Sequence, residues 1–157
     1  MKILLTGATG FIGKKLIQEL LNKDFELSII LRKKVDYFSD KVRQFVIGDF
    51  AKYSNELTSI DCVIHLAGKA HVIDKNKASV LDEFRLINTD FTLSLARQAA
   101  TAGVNRFIFL SSIGVNGNQN TKPFLESDTP NPQEPYAISK YEAEQGLFKL
   151  AKETDME

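Results

Sequence analysis

The chain has 157 residues, 43% of them hydrophobic, which is enough apolar content for one domain with a buried core. Twenty basic residues balance twenty acidic ones, which argues against a nucleic-acid or anionic-membrane partner recruited by bulk charge. Cys62 is the only cysteine, so no internal disulfide can form, and a reducing, cytoplasmic setting is the expectation.

Residues 2–6, KILLT, form a short apolar run that reads as a buried strand of a parallel sheet. Met1 opens directly into it, so no signal peptide is expected, and no apolar run is long enough to span a bilayer. Gly7, Gly10 and Gly13 follow at three-residue spacing, with Phe11 and Ile12 opening an amphipathic helix over residues 11–22. A strand that passes through a glycine turn into a helix N-terminus makes a phosphate cradle. The first N–H groups of the helix have no intrahelical partner, and the macrodipole favours an anion. A glycine turn that binds nothing is the competing reading. The strand–turn–helix context is the condition that favours a dinucleotide fingerprint.

Residues 26–31, ELSIIL, read as a second strand, followed at once by Arg32, Lys33 and Lys34. In dinucleotide folds an acid near this point bonds the adenosine ribose of NAD, whereas an arginine accommodates the 2′-phosphate of NADP. Arg32 therefore leans the reading towards NADP, against the alternative of a solvated basic turn. A third strand is expected over 44–47 and a fourth over 62–66, where Cys62 reads as a small core residue and His65 as a satisfied interior histidine. His65 and His71 have no neighbours at metal-ligand spacing, and no metal is expected. Residues 69–79 read as a polar loop.

Val80, Phe84, Ile87, Phe91 and Leu95 predict one long helix over 80–102 with a single apolar face, capped at its C-terminus by Gly103. Residues 106–110 predict a fifth strand ending in Ser111 and Ser112. Residues 114–135 hold all four prolines and read as a loop. A last helix over 136–153 is expected to turn Ile138, Tyr141, Phe148 and Ala151 one way. Alternating strands and helices predict a doubly wound parallel α/β sheet with helices on both faces.

Loops beyond the C-terminal ends of parallel strands are where such folds place their chemistry. Tyr136 and Lys140, four apart on a helix, share one face. A free phenol has a pKa near 10, too high for a base at neutral pH, and a nearby cation lowers it. Tyr136 would then take a proton from a substrate hydroxyl while hydride leaves the same carbon, with Ser112 holding that oxygen. A chance spacing on a lysine-rich chain and an ordinary strand end compete with this reading. The order of glycine turn, strand-end serine and Tyr-x-x-x-Lys favours a site.

The motifs TGATGFIG (6–13), GDF (48–50), HLAG (65–68), Asn88-Thr89, FLSSIGVNG (109–117) and PYAISKYEAEQ (135–145) occur in register over nearly the whole chain. Together they resemble the extended short-chain dehydrogenase/reductase family, in its branch of NAD(P)-dependent nucleotide-sugar epimerases and reductases. The resemblance implies a Rossmann-type domain over 1–157 whose Gly7, Gly10, Phe11, Ile12 and Gly13 surround a pyrophosphate. It implies that Asp49 and Phe50 flank the adenine, that Leu66, Ala67 and Gly68 run beside the cofactor, and that Asn88 braces the neighbouring strand. It assigns Ser112 as catalytic serine, Tyr136 as base and Lys140 as the lysine that also grips the nicotinamide ribose. The helices over 80–102 and 136–153 would form a homodimer interface.

Within that branch, dehydratases carry an acidic pair after the serine, where this chain has Ile113 and Gly114. Epimerisation or 4-keto reduction is therefore implied, at C4 of a UDP-hexose or UDP-N-acetylhexosamine. Asn116 stands where many epimerases have tyrosine, which tilts the implication towards a reductase. Family members continue into a C-terminal substrate lobe, so the chain is expected to be the N-terminal part of a longer enzyme and to turn over little by itself. The rival class is a non-catalytic dinucleotide-binding redox sensor or assembly factor. Such relatives of the fold tend to lose the tyrosine or the lysine, and both stand here.

Overall fold

The apolar run Lys2–Thr6 forms strand β1, the centre of a five-stranded sheet. The structure, a computed structural model, describes residues 1–47, 56–70 and 77–157, with backbone only for 77–79. Strands β2 (Glu26–Leu31), β3 (Val42–Val46), β4 (Cys62–His65) and β5 (Arg106–Phe109) complete the sheet in the order β3-β2-β1-β4-β5, every pairing parallel. The order reverses between β1 and β4, the point beyond which doubly wound sheets take their ligands. Ile3 and Leu5 point to one face of β1, Leu4 and Thr6 to the other, and all four are at most 2% exposed. Burial on both faces is why this strand reads as an unbroken apolar run.

The described residues fall into two compact units. One comprises Met1–Ala67, Ser94–Leu110 and Leu150–Glu157; the other comprises Gly68–Leu93 and Ser111–Lys149. In the first, Ile17 and Leu20 of helix α1 (Phe11–Leu21) join Ile3, Leu5, Ile29, Leu31 and Ile64 in one apolar cluster. Each such side chain, fully buried, contributes ~1.5–3 kcal/mol. Cys62 sits in this cluster as a small core residue, and burial pushes its thiol up. His65 is fully buried, with Nδ1 2.6 Å from Thr6 Oγ1 and its ring between Phe107 and Phe109, so it is a satisfied interior histidine. The N–H of Glu157 donates to Asn105 O and its carbonyl accepts from Phe107 N–H, a parallel bridge on the outer edge of β5.

Three expectations shift. Strand β3 begins at Val42 rather than 44, because Val42 is buried and pairs with Leu27, while the side chain of Gln44 closes on both backbone groups of Val35. The single helix expected over 80–102 starts at Lys77. It runs as α2 (Lys77–Phe84), a π-helical stretch (Arg85–Asp90) and α3 (Phe91–Thr101). The wider turn rotates the inward face. Asn88 and Thr92 are fully buried, while Ile87 and Phe91 are only half-buried. Thr92 Oγ1 donates to Asn88 O at 2.7 Å, occupying a carbonyl in that stretch. Gly103 caps α3 as expected: its N–H donates to Ala100 O and that of Val104 to Ala99 O, a Schellman pattern.

Helix α4 (Pro135–Glu153) starts with proline in its first turn, where the missing N–H has no partner to lose. Its buried side is Ala137, Ser139, Lys140 and Ala143, not the face expected, and Phe148 is 64% exposed. Small residues let the helix approach closely: a Cβ on Gly146 would lie 2.5 Å from Leu93 Cδ2. Asp49, Phe50 and His71 lie outside the described residues. Among the described residues no helix is long and apolar enough to cross a membrane.

Candidate active site

The glycine turn is built around one carbonyl. Gly7, at φ +72°, accepts the N–H of Gly10 at 3.0 Å and brings its own Cα against the end of β4. A Cβ there would stand 2.6 Å from Ala67 N and 2.7 Å from Leu66 C, so residue 7 must be glycine on two counts. A Cβ on Gly13 would overlap the Gly7 carbonyl oxygen. Thr6 Oγ1 accepts from Ala67 N–H at 3.2 Å and fixes the same strand end from the other side. Gly10 is the N-cap of α1 in extended conformation, with no side-chain cap and no acid in the first turn. The helix therefore presents its first N–H groups and the positive end of its dipole to whatever anion enters. Phe11 and Ile12 flank that opening, 96% and 50% exposed. Arg32 stands exposed immediately past β2, and among the described residues it forms no ion pair.

The second unit holds Ser112, Tyr136 and Lys140. Ser112, in extended conformation, is the N-cap of a 3-10 turn (Ile113–Val115), and its Oγ accepts from Gly114 N–H at 3.2 Å. A Cβ on Gly114 would lie 3.3 Å from Ala137 Cβ, so the serine turn is pressed onto the first turn of α4, one residue from Tyr136. The Tyr136 ring is half-buried and takes the edge of Phe84 at 5.8 Å and 67°. Lys140 is 3% exposed. Its Nζ is directed at Gly68, where a Cβ would lie 3.4 Å from Nζ and 3.3 Å from Asn88 Oδ1.

Burial moves the two groups in opposite directions. It pushes the Tyr136 phenol up, and it pulls the Lys140 ammonium down to about 8, with Glu144 partly offsetting the latter. The i, i+4 spacing in the sequence leads to the expectation that Lys140 lowers the phenol. In the protein alone desolvation dominates the tyrosine instead.

Asn88 does not brace a strand directly. Its Oδ1 accepts from Lys69 N–H at 2.8 Å, and its Nδ2 donates to Lys69 O at 3.0 Å and to Ser139 Oγ at 3.1 Å. The amide thus holds the segment after Gly68 to α4, and its polar atoms are spent on protein. Among the described residues no cluster of three or more histidines, cysteines or acids could hold a metal.

The model of the NAD dependent epimerase/dehydratase family matches residues 3–157. The chain belongs to that family. A UDP-glucose 4-epimerase of Vibrio cholerae is 40% identical over 161 residues, covering 99% of this chain and 48% of its own length. A dTDP-D-glucose 4,6-dehydratase of Mus musculus is 34% identical over 158 residues, covering 91% of this chain and 44% of its own. Among solved structures, MoeE5 in complex with UDP-glucose and NAD matches with a TM-score of 0.85 at 30% identity, over 99% of this chain and 51% of that one. The chain spans about half the length of each of these three relatives.

Beyond the family motifs, the structure adds residues that sequence reasoning passes over. Phe84 reads as core from its spacing, yet its ring meets that of Tyr136. Ser139 carries no periodic signal, and only its place between Tyr136 and Lys140 points to it. The backbone of Lys69, in a stretch that reads as loop, is held at both its N–H and its carbonyl by Asn88.

Proposed function

We propose that this chain supplies the cofactor-binding part of a nucleotide-sugar enzyme that transfers hydride at a sugar carbon. The substrate is C4 of a UDP-hexose or UDP-N-acetylhexosamine, and the reaction is epimerisation or 4-keto reduction. The observation that carries the reading is Tyr136 one turn before a buried Lys140, with the Ser112 turn packed on the residue between them. The relatives named as 4-epimerases and the solved relative holding UDP-glucose and NAD support the substrate class.

The uncapped N-terminus of α1, with its glycine turn and no acid in its first turn, fits a pyrophosphate. Gly7, Gly10, Phe11, Ile12 and Gly13 would hold it, Leu66, Ala67 and Gly68 would run beside the dinucleotide, and Asp49 and Phe50 would flank its adenine. A bound nicotinamide dinucleotide supplies the hydride acceptor and donor. Tyr136 takes the proton of the sugar hydroxyl and returns it to the carbonyl oxygen in the reverse step. Ser112 donates to that same oxygen and fixes its position. Lys140, whose ammonium burial lowers to about 8, would still be charged at neutral pH; with a nicotinamide dinucleotide bound it would grip the ribose, and its charge would favour the ionised tyrosine.

The cofactor is NAD or NADP. Arg32 favours NADP, whereas the solved relative holds NAD. Ile113 and Gly114 carry no acid to expel water, which favours C4 chemistry over dehydration. Asn116, whose Nδ2 is 3.4 Å from Leu125 O, favours the reductase over the epimerase, and net consumption of the reduced cofactor would separate them. The helices over 80–102 and 136–153, where Leu86 and Phe148 are more than 60% exposed, would form the homodimer interface. Because the chain spans 48% of its Vibrio cholerae relative, turnover is proposed of the full-length gene product.

The test is a fluorescence titration with NADH and, separately, NADPH. Saturable binding is expected, with NADPH the tighter ligand. Absence of binding to either by the full-length gene product would sink the reading. A non-catalytic sensor of the same fold is the second reading, and Tyr136→Phe decides it: an enzyme loses its rate and keeps its cofactor, whereas a sensor is indifferent.

A further inference from the structure

Ser139 stands between Tyr136 and Lys140, is fully buried, and has every polar atom of its side chain and its carbonyl occupied. Its hydroxyl hydrogen goes to Tyr136 O at 2.7 Å, three residues back, and its oxygen accepts from Asn88 Nδ2 at 3.1 Å. Its backbone carbonyl accepts from Thr89 Oγ1 at 2.8 Å. Asn88 in turn holds both backbone groups of Lys69, beside the Gly68 over which Lys140 Nζ lies. The chain of bonds therefore runs from the Gly68–Lys69 backbone through Asn88 and Ser139 to the carbonyl of Tyr136.

We propose that Ser139 is a positioning residue, which locks the turn carrying Tyr136 and Lys140 to the Gly68–Lys69 segment through Asn88. The inference rests on the reading of Tyr136 as base and Lys140 as its cationic partner. A serine inside a helix gains little from propensity, and its hydroxyl competes for a carbonyl that the helix would otherwise use alone. Here the competition has a use. The shared carbonyl belongs to Tyr136, and the oxygen that donates to it is tied to a second helix. An alanine at this position would leave one Asn88 N–H without an acceptor in a fully buried place, and the turn would be free to move off Gly68. Lys140 follows immediately in the chain, so its burial depends on where that turn stands.

The experiment compares wild type with Ser139→Ala and Ser139→Cys in the full-length gene product. The thiol keeps the volume but is a weak donor. The readouts are the Lys140 titration, followed by NMR of 13Cε-labelled lysine, and kcat and KM for the sugar nucleotide. In Ser139→Ala the Lys140 midpoint rises from about 8 towards that of an ordinary lysine. In the same variant kcat falls about tenfold with the sugar KM unchanged, and Ser139→Cys shows the same changes to a smaller degree. Wild-type titration and kcat in both variants would overturn the inference, as would wild-type values in the thiol variant alone if the alanine variant does not fold. Tyr136→Phe separates the two levels of the argument. If it retains full turnover the reading of the base fails, and if it is inactive while the Ser139 variants match wild type, only the Ser139 inference fails.

Discussion

Lys140→Met tests the electrostatics of the site without any ligand. Lys140 is 3% exposed, and burial lowers it from 10.5 to about 8. The unfolded chain holds its proton at the ordinary value, so between pH 8 and 10.5 the unfolded state binds more protons than the native one. Stability from this group therefore rises with pH across that window. Below pH 8 the folded state carries a buried charge. Its penalty is about 3 kcal/mol, since a tenfold change in proton affinity corresponds to about 1.4 kcal/mol. Methionine fills a similar volume without charge, so the difference in unfolding free energy between variant and wild type isolates this titration from the others. Urea unfolding followed by circular dichroism at pH 7, 8, 9 and 9.5 measures it. The advantage of the methionine variant should shrink by about 2 kcal/mol between pH 7 and 9.5 as wild type sheds the proton. A difference that stays flat over that range would show that Lys140 is not desolvated, and the reasoning about its charge would fall with it.

Four further outcomes follow from the geometry. Asn88→Ala removes three hydrogen bonds, one buried and two partly buried, and should destabilise by about 3 kcal/mol, read from the urea midpoint. Gly7→Ala forces a Cβ into the backbone of Leu66 and Ala67 at a left-handed φ, so NADH titration should show no saturable binding. Arg32→Asp should exchange the preferred cofactor, weakening NADPH and strengthening NADH by roughly tenfold each, measured by the same titration. If the proposed homodimer forms through α4, Phe148→Glu on its exposed side should convert it to monomer in sedimentation velocity and leave the circular dichroism spectrum unchanged.

The first half of the fold was legible because its signals are local. Strands β1 and β2 announce themselves as apolar runs, and the spacing of Gly7, Gly10 and Gly13 marks the turn at which a strand becomes a helix. The ends of β1, β2 and α1 agree with the reading to within one residue. The second half was harder to read because close approach and hydrogen bonding shape it, and neither leaves an apolar period. Asn88 and Thr92 are buried by a π-helical turn that no hydrophobic repeat announces. The inward side of α4 is alanine, serine and lysine, while the large residue Phe148 faces out, so counting apolar residues selects the wrong face. Burial of Lys140 was equally hidden: a lysine in sequence reads as a solvated charge, and only the packing of α4 shows it desolvated. The direction in which the Tyr136 phenol moves depends on the same burial and could not be read from the i, i+4 spacing.

The most direct measurement of the account is turnover of UDP-glucose by the full-length gene product with NAD or NADP, wild type against Tyr136→Phe, analysed by chromatography of the nucleotide sugars. Wild type should convert UDP-glucose at C4. In the variant the rate should fall at least about a hundredfold while cofactor affinity is retained. Equal rates in the two proteins would contradict the assignment of Tyr136 as the group that moves the proton.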